Sequence, residues 1–420
     1  MLNHILKNQF GLEFSVSADF ESFNLAKAPK INYSERLCKA AVQIIPEGLL
    51  FEEGLRISKP EIYNAEEFPV LFQQKDGNLS FDIFSAVFWF ISRYEEYQEY
   101  IPDKHNRFAA SQSFAYKNKL LITPIVDEWV LHFKQKLEHE FPELELKCNE
   151  FSALTTIDVD SPWCYKNKGL LRNAGGMFRD ILKGQLSEVH FRVKVLLNII
   201  PDPWYNFDWI TKMHHNTTTK LMFFIHVGDY GTFDKTVKST SKSFHTFINS
   251  VSLNSVVGLH PSYNAASDKQ EFQTELNRLS KLTGKAITAS RQHFLVFKVA
   301  SYYPQLIEMG INEDYSMGFA DMPGFRAGTS NPFYFFDLHK NQETKLLIHP
   351  FAVMDRTLNT YQGQSVEDAL ESLKLIVENV KKIQGTFVSL WHNESLSNKF
   401  EWKGWQLVFQ EITEYLASHK

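Results

Sequence analysis

Seven side chains with reactive groups stand at the ends of short apolar runs in the part of the chain that follows residue 150. They are Asp158, Asp160, His226, His260, Arg291, His349 and His392. If the runs are strands of a parallel α/β barrel, their carboxyl ends meet at one rim, which is where the active sites of such folds lie. One such residue would mean little, but seven of them on one rim predict a functional site there.

The two carboxylates give the first indication of the chemistry. Asp158 and Asp160 are two residues apart in TTIDVDSP, so they would share one face of an extended strand. Two carboxylates on one face repel each other unless a cation lies between them or one of them binds a proton. This spacing predicts a metal site with an adjacent base, although one of the two could instead cap the following helix.

Three further side chains could complete such a site. His260, in VVGLHPSYN, is a candidate ligand, because imidazole together with a carboxylate suits Zn, and also Mn or Co. Arg291 beside Asp158 would keep that carboxylate ionised and oriented. His392, in SLWHNES, is placed to donate a proton; the alternative is a structural histidine bonded to Glu394.

The scaffold that would hold these side chains is predicted from alternating apolar runs and helical stretches. The runs are Ser152–Val159, Lys220–Val227, Ser255–His260, Ala286–Ser290, a short one near 315–320, Lys345–His349 and Thr386–His392. The clearest helix spans Val366–Ile383, with Ser365 as its N-cap and Gly385 just beyond its end. Nearly continuous apolar strands between helices indicate an α/β fold with a covered parallel sheet. Six or seven such units favour a (β/α) barrel of about seven strands over an open sheet, with a long insertion at 161–219.

A smaller α+β domain is predicted for residues 1–150, ahead of the barrel at 151–420, because the pattern of the sequence changes near residue 150. Two helices are predicted in it, at Phe81–Tyr100 with Asp82 as N-cap and at Val126–Glu140. A polar cluster is expected to be solvated or to face the other domain; its members are Arg93, Glu95, Glu96, Asp103, His105 and Arg107. No catalytic constellation is visible there.

Composition excludes several classes of partner. A net charge of -5 gives no basic surface for nucleic acid. Cys38, Cys148 and Cys164 are few and contain no CxxC pair, which argues against a disulfide framework and a thiolate zinc site. Met1–Ser15 lacks the apolar core of a signal peptide, and no apolar window reaches the roughly 18 residues of a membrane span. We therefore expect a cytoplasmic protein; its oligomeric state is not indicated.

The order of the motifs from residue 150 to 420 resembles the polysaccharide deacetylases (NodB-like, carbohydrate esterase family 4), which have a distorted (β/α) barrel. In that family's first motif, the resemblance implies Asp158 as catalytic base and Asp160 as metal ligand. In the second motif, here HPSYN, His260 matches a ligand, and Asn264 stands where the family has its second metal-binding histidine.

The remaining motifs of that family also have counterparts in this sequence. Arg291 matches the arginine that orients the base, and Leu390 followed by His392 matches the leucine and general acid of the last motif. The N-terminal stretch resembles an uncharacterised domain found ahead of such barrels. Within GFRAGTSNPFYFFDL, Arg326 is a candidate contact for a substrate anion.

Together these features predict a hydrolase that uses a divalent metal, zinc first, to remove N- or O-linked acetyl groups from an acetylated sugar or glycan precursor. With Asn264 as an amide in the ligand set, the third ligand could come from elsewhere, with His226 as the nearest candidate. The metal could also be held weakly and completed by water, or catalysis could be lost. Two alternatives follow: a decayed barrel that binds glycans or acts as a scaffold, and a glycosyltransferase that holds Mn through Asp158 and Asp160.

Overall fold

The computed structural model describes residues 1–65, 68–147, 149–215 and 217–418; Cys148 lies outside these ranges. The first 150 residues contain helices α1 (Phe20–Leu25), α2 (Ile83–Ile91), α3 (Phe114–Lys117) and α4 (Ile125–Glu140). They also contain the parallel pair β1 (Ile31–Tyr33) and β2 (Val42–Ile44) and the antiparallel pair β3 (Tyr63–Ala65) and β4 (Phe68–Val70). This part of the chain is therefore mixed α and β, as expected.

Helix α2 is apolar around its whole circumference and every one of its residues is buried. Its N-cap is Asp82, as predicted, whose side chain accepts a hydrogen bond from the Ser85 amide at 3.1 Å. The helix is shorter than the predicted Phe81–Tyr100, because Arg93 takes a left-handed conformation with φ 55°. Helix α4 covers the second predicted helix almost completely.

A nine-stranded sheet organises the rest of the chain. Its strands are β5 (Ser152–Val159), β6 (Lys220–Ile225), β7 (Val256–Leu259), β8 (Ala289–Ser290), β9 (Glu313–Asp314), β10 (Phe333–Asp337), β11 (Gln342–Ile348), β12 (Val353–Met354) and β13 (Thr386–His392). They lie in the order β10-β11-β9-β8-β7-β6-β5-β13-β12, and every neighbouring pair is parallel except β10 with β11. The predicted α/β class and distorted barrel are confirmed, in the form of a curled half-barrel.

Two of these strands were not expected. β10 lies in the segment GFRAGTSNPFYFFDL and pairs antiparallel at the sheet edge, and β12 has only two residues. Strand β10 is followed by its antiparallel partner β11 and not by a helix. The alternation of strands and helices therefore did not reveal it.

Helices cover the sheet. They are α5 (Leu170–Leu182), α6 (Leu186–Leu196), α7 (Phe207–His214), α8 (Lys242–Asn254), α9 (Lys269–Thr283), α10 (Val299–Glu308), α11 (Val366–Lys382) and α12 (Trp405–Ser418). Helix α11 matches the predicted helix to within a residue, and Ser365 caps it by accepting from the Asp368 amide at 3.1 Å. Among the described residues, we find no helix with the length and apolar character needed to cross a membrane.

Contacts join residues on the two sides of position 150. Asp127, on α4, accepts hydrogen bonds from the Thr329 hydroxyl at 2.6 Å and the Ser330 amide at 2.7 Å. The Val126 amide donates to the Gly328 carbonyl at 2.9 Å. The division into domains at 1–150 and 151–420 stays a prediction.

Candidate active site

The register of the sheet places the candidate residues side by side. His392, the last residue of β13, lies opposite Asp158 on the adjacent strand β5. His226, His260 and Arg291 follow the ends of β6, β7 and β8, which are the next strands along the sheet. The parallel order thus gathers side chains that are far apart in sequence at one edge of the sheet.

Asp158 is held by a buried arginine. Arg291 Nη1 lies 3.1 Å from Asp158 Oδ1 and also donates to the Thr156 hydroxyl at 2.5 Å, while its Nε donates to the Tyr315 carbonyl at 2.9 Å. The guanidinium is fully buried and lies 4.6 Å from the ring centroid of Phe224. A guanidinium fixed on three sides in this way orients the carboxylate.

A second group consists of Asp160 and two histidines. His260 Nε2 lies 3.3 Å from Asp160 Oδ1, and His293 Nε2 lies 3.5 Å from Asp160 Oδ2. One ligand atom from each of these three residues lies within 4.8 Å of the others. The arrangement has the size of a metal-binding group.

The hydrogen bond of the His260 ring determines which of its two nitrogens carries the proton. His260 Nδ1 lies 2.7 Å from the Arg291 carbonyl, which can only accept, so Nδ1 donates and Nε2 of the neutral ring presents a lone pair. That Nε2 and the facing Asp160 Oδ1 are both buried and have no hydrogen-bond partner. Two acceptors that face each other at 3.3 Å require a cation or a proton between them. Two imidazoles and one carboxylate suit Zn, Mn or Co, so these residues fit a divalent metal.

Electrostatics supports the same interpretation. Burial opposes ionisation of Asp160, but the neighbouring His293 and His260 outweigh it and hold the pKa of Asp160 well below its ordinary range. Burial lowers the pKa of His293, but Asp160 and Asp234 outweigh burial and raise it to about 9. The cluster is therefore built to hold positive charge, which a proton supplies when no metal is bound.

His293 was missed by the sequence analysis, although it lies two residues after Arg291 in RQHF. Its Nδ1 lies 3.0 Å from Asp234 Oδ1, which orients the ring. The next two residues, Phe294 and Leu295, have φ values of 56° and 54°, which are unusual for residues with side chains. Backbone strain of this kind concentrates at functional sites, and only the structure reveals it.

Two candidates for the third ligand lie outside this group. Asn264 is exposed at the start of the 3-10 helix Asn264–Ala266, where its carbonyl accepts from the Ser267 and Asp268 amides at 3.0 Å each. The structure thus does not bring Asn264 to the position that the motif suggested. His226 donates from Nδ1 to the His260 carbonyl at 3.0 Å, and its Nε2 lies 3.7 Å from Asp234.

The ring of His392 is held by the carboxylate of Asp355. Its Nδ1 lies 2.8 Å from Asp355 Oδ1, and its amide donates to Asp355 Oδ2 at 2.7 Å. Burial lowers the pKa of His392, but Asp355 outweighs burial and raises it. Glu394, the partner considered from the sequence, forms an ion pair with Arg356 instead.

Two other predicted residues have different roles in the structure. His349 stacks on the Tyr315 ring with centroids 4.3 Å apart, and its Nε2 lies 3.0 Å from Glu313. Arg326 is buried and forms an ion pair with Glu96 at 2.6 Å, so it is not free to bind a substrate anion. The expectation of an anion contact at Arg326 is wrong.

Comparisons with known proteins give one family model and several solved structures. Residues 1–142 match a family of unknown function (DUF7033), and no curated protein matches the chain. Among solved structures, the chain is similar to a Mycobacterium smegmatis protein assigned as a polysaccharide deacetylase (13% identity, TM-score 0.43). It is also similar to the Puue allantoinase (12% identity, TM-score 0.40). Each of these two matches covers 65% of this chain and 86% of the other.

A third match is the polysaccharide deacetylase Bc1974 from Bacillus cereus, at 11% identity and a TM-score of 0.29. It covers 63% of this chain and 88% of that one. Polysaccharide deacetylases, the family that the motifs resemble, are thus found again among the solved structures. At TM-scores below 0.5 these matches are evidence neither for an activity nor for a substrate of this chain, so the function must be argued from the site.

Proposed function

We propose that the chain is a metal-dependent hydrolase that removes acetyl groups from a carbohydrate. The observation that carries the proposal is the pair of buried acceptors, His260 Nε2 and Asp160 Oδ1, which face each other at 3.3 Å without a hydrogen bond. With His293 they would hold a divalent ion. Such an ion polarises a bound carbonyl and lowers the pKa of bound water, to about 7 in zinc hydrolases.

Asp158 would act as the general base. Its Oδ2 lies 3.7 Å from His260 Nε2, so it borders the metal group, and its Oδ1 is held by Arg291. A carboxylate held by a buried guanidinium keeps a fixed orientation, which is what removal of a proton from water requires. Because Asp158 is engaged by Arg291, it is better placed as the base than as a ligand.

His392 would act as the general acid. It lies opposite Asp158 in the sheet, and its proton is retained because Asp355 raises the pKa of the ring. With Nδ1 bonded to Asp355, Nε2 is the atom that would donate a proton to the departing amine or alcohol. Base and acid would therefore be delivered from adjacent strands.

The substrate that fits this proposal is an N- or O-acetylated sugar or glycan precursor. The cytoplasmic location expected from the sparse cysteines is part of the same proposal. Among the residues of the proposed base, acid and metal group, Asp160 has the most exposed side chain, at 28%. Substrate would therefore reach the site from the side of Asp160.

The test is acetate release from a panel of N- and O-acetylated sugars by the zinc-loaded protein. Asp158→Asn should lower turnover by about 10²-fold or more, the usual contribution of a general base. The matched control is Asp229→Asn, since Asp229 is 91% exposed and pairs with Arg278 outside the candidate site. Retention of most activity by Asp158→Asn would contradict the assignment. Tight binding of a nucleoside diphosphate, without acetate release, would favour the glycosyltransferase alternative.

A further inference from the structure

Helices α5 and α6 form a pair within the insertion at 161–219. Large apolar side chains of the pair are exposed, and its buried side chains are mostly polar. The described residues of the chain include thirty large apolar side chains that are exposed, and nine of these lie between positions 170 and 199. They are Leu170, Leu171, Phe178, Ile181, Leu182, Leu186, Val193, Leu197 and Ile199. An apolar surface of this density on one small element indicates a binding surface.

Three of the four buried residues of the two helices are polar, and the fourth is Val195 on α6. The buried residues of α5 are Asn173 and Asp180. Asp180 pairs with the buried Arg192 of α6 at 2.7 Å, and Asn173 donates to the Tyr165 carbonyl at 3.0 Å. Packing against the rest of the chain therefore does not explain the apolar side, because that packing already uses the polar side.

The charge of the pair indicates what could cover the apolar side. Residues 166–199 contain seven Lys or Arg and two Asp or Glu, a net charge of +5 in a chain whose total is -5. Of the two acids, Asp180 is buried against Arg192, whereas Arg179 and Lys183 are exposed beside Phe178 and Leu182. The exposed charge that borders the apolar side is thus positive.

A second copy of the chain is a poor occupant for this surface. In a symmetric dimer the same patch meets itself, so the basic side chains of the two copies would face each other. An amphipathic helix with leucine and phenylalanine on one side and basic residues beside them is instead typical of helices that lie in the interface of an anionic bilayer.

We propose that the α5–α6 pair docks on an anionic lipid surface, with its exposed leucines inserted among the acyl chains and Arg179 and Lys183 against the headgroups. The pair lies in the plane of the surface and does not cross it. This goes beyond the proposed activity and does not depend on it, because no residue of the candidate active site takes part.

The insertion is joined by hydrogen bonds to the residue that follows the candidate general acid. The Asn393 side chain, next to His392, donates to the Ser161 and Trp204 carbonyls at 3.0 Å each. Asn206 donates back to the Asn393 carbonyl at 2.8 Å. The two ends of the insertion are therefore anchored beside the candidate general acid.

The test is co-sedimentation of the full chain with vesicles of phosphatidylcholine alone and of phosphatidylcholine mixed with phosphatidylglycerol. The protein should bind the mixed vesicles and lose binding as salt is raised. Leu182→Ser and Leu186→Ser should each weaken binding about tenfold, because burial of one leucine side chain changes a partition constant by about that factor or more. Lys183→Glu should also weaken it, without changing the apolar surface.

The matched controls are Leu253→Ser and Ile57→Ser, since both side chains are 83% exposed and lie outside the insertion. They should bind vesicles as the unmodified chain does. Binding that is equal for both vesicle types, or unchanged in Leu182→Ser, overturns the proposal. So does a dimer in sedimentation velocity that Leu182→Ser dissociates, in a chain that binds no vesicles; this result would assign the surface to a second copy. Acetate release from water-soluble substrates should be unchanged in the leucine variants, which separates this proposal from the activity.

Discussion

Replacement of Glu96 by glutamine should destabilise the protein more than any exposed ion pair could. Glu96 is buried between two arginines that are themselves 1% and 2% exposed. It accepts from Arg93 Nε at 2.8 Å, and from Arg326 Nε at 2.9 Å and Nη2 at 2.6 Å. One carboxylate thus neutralises charge from α2's C-terminal end and from the loop that follows β9.

The size of the expected stability loss follows from the interactions that Arg93 and Arg326 keep in the variant. In Glu96→Gln, Arg93 keeps an ion pair with Glu95 at 2.7 Å. Arg326 keeps a hydrogen bond to the Gly318 carbonyl at 3.0 Å and the face of Phe297 at 4.6 Å, but within the described part of the chain it has no other carboxylate partner. Breaking a buried pair by removal of one partner costs about 3–5 kcal/mol, and we expect a loss in this range.

Chemical denaturation followed by circular dichroism measures the difference in free energy of unfolding. The control is Glu308→Gln, which removes a pair with Lys269 whose side chains are both more than half exposed, and which should cost far less because exposed ion pairs contribute little to stability. Burial raises the pKa of Glu96, but Arg326 and Arg93 outweigh burial and lower it below 4.5. Its contribution is therefore present at neutral pH and is lost as the pH falls through the folded-state pKa. Equal losses in the two variants at neutral pH would refute the reasoning.

Three further predictions concern other buried positions. Burial raises the pKa of Asp314 to about 7. The contribution of this carboxyl to stability is therefore greatest below pH 3.8 and is lost as the pH rises through about 7. Asp314→Asn should reduce the difference in the free energy of unfolding between about pH 4 and pH 8, measured by denaturation. An added Cβ at Gly258 would lie 2.6 Å from a ring carbon of Phe224, so Gly258→Ala should cost about 1–3 kcal/mol of stability. Gly175, in helix α5, has open space around it, so Gly175→Ala should stabilise the protein by about 0.5–1 kcal/mol. Asp355→Asn should lower the pKa of His392 and reduce kcat for acetate release by about 10²-fold, with zinc affinity unchanged.

Strands β5, β6, β7 and β13 could be predicted, because each is an apolar run that a helix follows along the chain. That pattern places Asp158, His260 and His392 at strand ends, and the order of the strands brings them together. The two-residue parallel strand β12 could not be predicted in this way. The edge strand β10 was missed because it belongs to an antiparallel hairpin, in which neither a period nor a following helix marks the strand.

The third member of the metal group could not be predicted in the same way. His293 lies beyond the end of β8, and its ring is placed by the left-handed residues Phe294 and Leu295 and by Asp234, 59 positions earlier in the chain. Sequence motifs directed attention to Asn264 because they assume the local geometry of a relative. Here the chain supplies the imidazole from the next strand end, which is a tertiary effect.

The roles assigned to these residues are still predictions, and so is the boundary at residue 150. The prediction for the polar cluster at residues 93–107 was that it would be solvated or would face the other domain. In the structure its arginines are buried: Arg107 donates to the Phe294 carbonyl at 2.7 Å, next to His293. Residues of the N-terminal part thus support the backbone of the candidate site.

The central claim is that Asp160, His260 and His293 hold a divalent metal, and a calorimetric titration of the metal-free chain with zinc tests it most directly. The unmodified chain should bind zinc, and His293→Ala should lose more than the roughly 10–100-fold that follows loss of a residue that only orients a ligand. His349→Ala, which removes a rim histidine outside the group, should bind zinc as the unmodified chain does. Zinc binding that is equally tight in His293→Ala, or absent from the unmodified chain, would contradict the account.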